Sequence, residues 1–302
     1  MGSSAPEARS HEPVLLKEAL AVLKPQPGQI VVDATLGSGG HAKKILESLG
    51  SKGRLVGIDQ DPEAIQRSRE SLKAFSQVDY VQRNFSELDK ILKGLNLSVV
   101  DAVLLDVGIS TEQLEETPRG FSFLKEGPLD MRMDPDRPVR ARDLVNDLSQ
   151  GELEKLFRTY GEERWAKRIA GNLCRERVKH PIETTGELVR IILQAVPRRF
   201  HFGARHPATR VFQALRIRVN EELAALESVL PKALQALPPR GRLAVITFHS
   251  LEDRIVKRAF RAWGKEGIVQ ILTPKPIRPT EEEIRRNPRS RSAKLRAVEK
   301  MG

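Results

Sequence analysis

Hydrophobic positions in the first third of the chain fall in short unbroken runs, and three of the four end on an acid or lead through one into a turn. The runs are Ile30–Thr35, Arg54-Leu55-Val56-Gly57-Ile58-Asp59, Val78–Gln82 and Val99-Val100-Asp101-Ala102-Val103-Leu104-Leu105-Asp106. A strand that reads apolar on both faces is buried on both, as in a parallel sheet. Between the runs the apolar period becomes helical, over about 41–49 and 62–74, and an earlier helix ends near Leu23. This alternation predicts an α/β fold with a mostly parallel sheet, crossover helices and ligands at the carboxyl ends of the strands.

After Asp106 the pattern stops. From Gln113 to Arg205 no clear strand occurs; a Gly- and Pro-rich loop, Pro118–Pro138, leads into helical stretches at about Ala141–Asp147, Gly151–Tyr160, Glu162–Val178 and Thr185–Ala195. Strand character returns at Gly241–His249. The chain therefore reads as a discontinuous sheet domain, 1–112 and 206–302, with a helical domain, 113–205, inserted after the fourth strand. His206-Pro207 opens a long helix to about Leu237, with Pro207 in its first turn and Arg210, Gln213, Arg216 and Asn220 on one face. That stripe is either solvated or lines a crevice. Ser250-Leu251-Glu252-Asp253 resembles a capping box offset by one and opens a helix to about Trp263. The polar tail Asn287–Arg296 reads as a phosphate-contacting arm or as disorder.

Charge changes the picture more than composition does. Of 302 residues with a net charge of +11, the stretch 164–218 holds 13 Lys/Arg against 3 Asp/Glu, and 285–300 holds 7 against 1. The rest of the chain is acidic, with 31 against 36. Two basic segments on an acidic body point to a polyanion, and nucleic acid fits better than a membrane because the basic stretches lack a bulky aromatic face. No run approaches the ~18 apolar residues of a membrane span, and the polar start Met1–His11 does not read as a signal peptide, so a cytoplasmic location is expected. The single cysteine, Cys174, excludes internal disulfides and a Cys-based zinc cluster, and no other ligand cluster suggests a metal.

Candidate chemistry gathers at the first strand end. Gly37, Gly39 and Gly40 let a backbone approach a ligand that a Cβ would hold off, with the N–H groups of the next helix start facing it. Asp33 can accept hydrogen bonds from a cationic or hydroxylated group. Asp59 lies about 20 residues past the first loop glycine, where a carboxylate meets an adenosine ribose; it reads equally as a helix cap, a role that Asp61-Pro62 can take instead. Asp106 places a third carboxylate on the same rim. Phe85 can stack on an adenine or belong to the core, and His249 reads as a hydrogen-bonded structural residue or a base. The pattern is G-x-G-G rather than G-x-G-x-x-G, and no G-K-[ST] follows, so the loop looks more like an S-adenosylmethionine site than a nicotinamide or nucleoside-triphosphate site.

His11-Glu12-Pro13-Val14-Leu15-Leu16, Asp33–His41, Asp106–Ser110, Arg119–Phe123 with Gly127–Asp134, His206–Asn220 and Phe248–Arg254 closely resemble the RsmH family, formerly MraW. The resemblance runs from His11 to the tail. It implies a Rossmann-like class I methyltransferase that moves a methyl from S-adenosyl-L-methionine to N4 of a cytidine in the decoding region of 16S rRNA, with the small ribosomal subunit as partner. It also implies cofactor contacts at Gly39, Gly40, His41, Asp59, Phe85, Asp106 and Gln113. The (Asp/Asn)-Pro-Pro-(Tyr/Phe) block of many amino methyltransferases is replaced by Asp106-Val107-Gly108-Ile109-Ser110, as in the family it resembles. Asp106 is the candidate to accept the N–H of the acceptor amine; Arg210 and Arg216 are candidates for RNA contact. An adduct mechanism at cytosine C5 is disfavoured, since no Pro-Cys pair exists. A methyltransferase on another nucleic acid and a non-catalytic ribosome-assembly factor are the competing readings, and monomer or homodimer stays open.

Overall fold

The computed structural model describes residues 13–115, 119–202 and 206–302. His11 and Glu12 of the first family-like block, Pro118 and the expected insertion edge Arg205 lie outside the described residues. In chain order the elements are α1 Leu16–Leu23, β1 Ile30–Asp33, α2 Gly40–Leu49, β2 Arg54–Asp59, α3 Pro62–Ser71, β3 Val78–Gln82, α4 Leu88–Gly94 and β4 Ala102–Asp106, then α5 Thr111–Glu115, α6 Ala141–Asp147, α7 Gln150–Gly161, α8 Ala166–Arg177, α9 Thr185–Ala195, α10 Thr209–Asn220 and α11 Glu222–Ala236, and finally β5 Arg242–Thr247, α12 Ser250–Lys265, β6 Val269–Ile271, α13 Glu281–Arg286 and β7 Lys294–Lys300. None of the described helices is long and apolar enough to cross a membrane.

Seven strands form one sheet in the order β3-β2-β1-β4-β5-β7-β6. The first five are parallel; β7 runs antiparallel to both β5 and β6. Val31, Val32, Leu104 and Leu105 are fully buried, as expected of runs covered on both faces. The strand order reverses between β1 and β4, which opens a crevice at their carboxyl ends.

The tail departs from expectation. Residues 294–300 are neither an arm nor disordered: they form β7, an interior strand with Leu295, Ala297 and Val298 buried. Its apolar signal is interrupted by Arg296, which is itself buried, with Nε 2.6 Å from Asp253 Oδ1 while Lys294 Nζ lies 3.0 Å from Asp253 Oδ2. A buried ion pair makes an interior strand look like surface.

The long helix expected from His206 to Leu237 is two helices. Glu221 takes a left-handed conformation, φ 53°, and its N–H closes back on Ile217 C=O, ending α10. The apolar side of α10, Val211, Phe212, Ala214 and Leu215, belongs to one core with Leu153, Phe157, Ile169, Leu188 and Ile192 of the preceding helices. The chain accordingly divides into a unit of 1–108 with 227–302 and a unit of 109–226, so α10 goes with the helices rather than with the sheet. The polar stripe of α10 neither lies free in solvent nor stands open. Gln213 Nε2 donates to Tyr160 C=O, and the buried Asn220 donates to Met131 C=O and accepts the Met133 N–H. With Arg119 donating to the carbonyls of Arg132 and Met133, those bonds pin the loop that carries the Gly127–Asp134 block.

Candidate cofactor and acceptor site

Parallel register places the acids. Asp33 is level with Gly57 on β2 and Leu104 on β4, and Asp106 is level with Ile246 on β5, so Asp33, Asp59 and Asp106 close three neighbouring strands at one rim. The chain after β1 turns through Gly37 and Gly39 into α2. Gly39, the residue that caps α2, has φ 83°, a backbone state that favours glycine. At Gly40 the reason is different from the expected approach to a ligand: a Cβ there would stand 2.5 Å from Pro13 Cγ, so this glycine serves packing against the chain ahead of α1.

Asp59 shapes the turn. Its Oδ2 accepts the Gly37 N–H at 2.9 Å and its Oδ1 accepts the Asp61 N–H at 2.9 Å, while Asp61 itself caps α3 by accepting the Glu63 N–H at 3.0 Å. The two acids thus divide the roles: Asp61 is the cap, and each Asp59 oxygen keeps a lone pair. Asp33 is 1% exposed and accepts a long hydrogen bond, 3.3 Å, from Thr35 N–H. Thr35 Oγ1 in turn accepts the Asp106 N–H at 2.6 Å, which ties the ends of β1 and β4 together.

Burial is the largest influence on the proton affinity of all three carboxyls. Burial, opposed by the Thr35 hydrogen bond and assisted by the Asp59 charge, pushes Asp33 up to about 7. Burial, assisted by the Asp61 charge, pushes Asp59 up to about 6 against its two backbone hydrogen bonds and the Arg67 charge. Asp106 is raised well above the usual carboxylate range by burial and then by the charges of Asp33 and Glu252. Its Oδ2 lies 3.6 Å from His41 Nδ1, whereas the buried Oδ1 has no hydrogen-bond partner among the described residues. His41 is anchored from the other side, with Nε2 3.1 Å from Val14 C=O. Three carboxyls gathered at one rim, each raised by burial and by a neighbouring acid, suit a ligand with positive charge and hydroxyl groups.

Phe85 follows β3, opens a short 3-10 turn capped by Asn84 and is partly exposed, while Asn84 Nδ2 donates to Gln60 Oε1. Gln113 lies in the helical unit, where its Oε1 accepts the Ser110 N–H and its N–H donates to Ser110 Oγ. Arg210 Nη1 donates to Glu162 C=O. Arg216 makes a two-pronged pair with Glu222, Nε to Oε1 at 2.8 Å and Nη2 to Oε2 at 2.7 Å, so its charge is already answered. Cys174 is partly exposed and packs on the helical core as a hydrophobe.

Glu252 is the residue that reading the sequence undervalued. It is 2% exposed; its Oε2 accepts the N–H groups of Phe248 (2.8 Å) and His249 (3.1 Å), and its Oε1 stands 3.0 Å from His249 Nε2. The capping box of α12 is therefore not offset: His249 is the cap and Glu252 its partner. This carboxylate fixes the chain after β5, where the Phe248 ring lies beside Gly108, two residues past Asp106. A His in the cap position concealed the signal, since Ser, Thr, Asp and Asn are the residues usually sought there.

The model of the MraW methylase family matches residues 8–301. A "Ribosomal RNA small subunit methyltransferase H" of Heliobacterium modesticaldum is 47% identical over 308 residues, covering 96% of this chain and 98% of that protein. Another protein of that name, from Geobacter sulfurreducens, is 49% identical, covering 97% of this chain and 99% of its own length. Among solved structures, a putative rRNA-methylase from Clostridium thermocellum is similar with a TM-score of 0.49 at 14% identity, over 96% of this chain and 100% of that one.

Proposed function

Because the chain belongs to the MraW methylase family, we propose that it is an rRNA methyltransferase that transfers a methyl group from S-adenosylmethionine to N4 of a cytidine in the decoding region of 16S rRNA, with the small ribosomal subunit as its partner. The observation that carries the acceptor assignment is the buried Asp106 Oδ1, without a hydrogen-bond partner among the described residues and on a carboxyl with raised proton affinity, beside two further acids at the strand-order switch.

The donor set fits the cofactor. S-adenosylmethionine, when bound, supplies a methyl already activated on a sulfonium. Asp59, with a free lone pair on each oxygen, would hold the ribose hydroxyls; Asp33 would face positive charge; the turn Gly37–His41 would present main-chain N–H groups; Phe85 would stack on the adenine. Gln113 is proposed as a further cofactor contact by the family resemblance.

Asp106 works on the acceptor. An exocyclic cytosine amine is a poor nucleophile because its lone pair is delocalised into the ring. A carboxylate accepting its N–H returns density to nitrogen, and a carboxyl whose acid form is stabilised by its surroundings is suited to keep the proton as the new N–C bond forms. His41 Nδ1, 3.6 Å from the other Asp106 oxygen, orients that carboxyl. Arg210 is proposed as an RNA phosphate contact. Arg216 serves that end through its pair with Glu222, which fixes the end of α10.

The test is transfer of labelled methyl from S-adenosylmethionine to small ribosomal subunits lacking the modification, followed by nucleoside digestion and mass analysis. N4-methylated cytidine is the expected product. Label in another nucleoside would overturn the acceptor assignment. Cofactor binding without any transfer would favour an assembly factor.

A further inference from the structure

The helical unit carries an array that the cofactor site does not use. Arg168, Trp165, Arg164, Phe200 and Arg199 alternate cation and ring: the Arg168 guanidinium carbon is 5.5 Å from the Trp165 ring centre, that of Arg164 is 5.0 Å from Trp165 and 3.9 Å from Phe200, and that of Arg199 is 5.0 Å from Phe200. The two rings stand 5.8 Å apart between centres. Trp165 immediately precedes α8, and Phe200 closes the 3-10 turn Arg198–Phe200 after α9, so two separate stretches of chain build the array. The arginines are exposed and the rings partly so. Beyond them Phe202 is 95% exposed.

The charges here are unanswered. Elsewhere in the same unit Arg137, Arg142 and Arg158 pair with Glu221, Glu183 and Glu154. Arg164, Arg168 and Arg199 have no carboxylate within ion-pair distance among the described residues. A guanidinium held over a ring can keep N–H groups free for phosphate oxygens. A fully exposed phenylalanine costs free energy in water and offers a face on which an unpaired base can stack.

We propose that this cation-and-ring array, with Phe202, is a docking surface for single-stranded RNA, phosphates lying on the edges of Arg164, Arg168 and Arg199 and a base on Phe202. It rests on the reading of the protein as an rRNA methyltransferase and adds to it the form of the RNA that is held. Single strands fit better than duplex because stacking on a side chain needs an unstacked base, whereas duplex RNA is read by shape and backbone.

The experiment titrates full-length protein with a fluorescein-labelled oligouridine of about 20 nucleotides and with a duplex of about 20 base pairs, across a salt series. R164Q/R199Q is expected to weaken oligouridine binding about tenfold near ~0.1 M salt and to flatten the log–log salt slope by about 1.4, two phosphates at about 0.7 each. Phe202→Ser is expected to weaken oligouridine binding about fivefold or more with the slope unchanged, and to leave duplex binding alone. Cofactor affinity and melting temperature, measured on the same variants, should stay at wild-type values. Unchanged affinity and slope in R164Q/R199Q would overturn the proposal, as would lost methylation of subunits with oligouridine affinity intact, which would make the surface one for a protein. If wild-type protein transfers no methyl to rRNA yet binds oligouridine through these residues, the function reading fails and the surface stands; if it methylates and the variants bind like wild type, the surface fails and the function stands.

Discussion

Asp106 concentrates the residue-scale consequences. Replacing it with Asn should lower turnover by about 10²–10⁴-fold, the usual contribution of a positioned proton acceptor, with cofactor still bound; activity within a few-fold of wild type in a methyl-transfer assay would remove Asp106 from the chemistry. The same substitution should raise the melting temperature, and more at high pH than at low, because it removes a carboxyl whose ionisation is opposed by burial and whose Oδ1 has no hydrogen-bond partner among the described residues. Asp33 and Asp59 add a pH dependence. With folded-state values pushed up to about 7 and about 6, the folded chain binds more protons than the unfolded chain between about pH 4 and 7. Stability from these groups therefore falls as pH rises through that window, by at most ~1.4 kcal/mol per unit for each carboxyl, and levels off above it. A cationic cofactor prefers the ionised acids, so its affinity should climb over the same window; calorimetric titration from pH 5 to 8 checks this, and a flat profile would mean that these acids do not meet the cofactor.

At the scale of elements, the strands of the sheet and the capped helices of the 109–226 unit were the most legible parts of the chain. β2 and β3 coincide with the expected 54–59 and 78–82, and α6 and α9 with 141–147 and 185–195, because continuous apolar runs and well-capped amphipathic helices speak locally. What stayed hidden depends on distant partners. Arg296 reads as surface until Asp253 is placed beside it, and the break at Glu221 carries no Gly or Pro to announce it. Two outcomes follow. Removing residues 294–302 should leave insoluble or unfolded protein rather than a folded enzyme with weaker RNA binding, since β6 would lose the strand that joins it to the sheet and β5 one of its two neighbours; solubility and circular dichroism decide. Arg216→Ala should cost about 3 kcal/mol by stranding Glu222 in a largely enclosed pair, with the salt slope of RNA binding unchanged, as read from denaturant midpoints and a salt titration.

For the whole molecule, charge and topology were read with different success. The basic excess of 164–218 pointed to a polyanion from the sequence, but its reading as lacking a bulky aromatic face fails, because Trp165 and Phe200, 35 residues apart, come together with Arg164 between them only in the fold. The site acids were legible because each ends its own strand; their raised proton affinity was not, because burial and neighbouring charge depend on how the strands assemble. The same sheet order has a consequence for synthesis. β4 pairs with β5, yet the whole helical unit is translated between them. As the chain emerges, β1–β4 must wait with one edge of β4 bare, while residues 109–226, whose apolar residues form their own core, can already close on themselves. Pairing across that interval is slow because the ends must find each other over a long stretch of chain, and an interval already folded shortens the search. In refolding followed by pulsed hydrogen exchange, amides of 109–226 should gain protection before those of β4, which makes the helical unit an internal folding aid for the sheet.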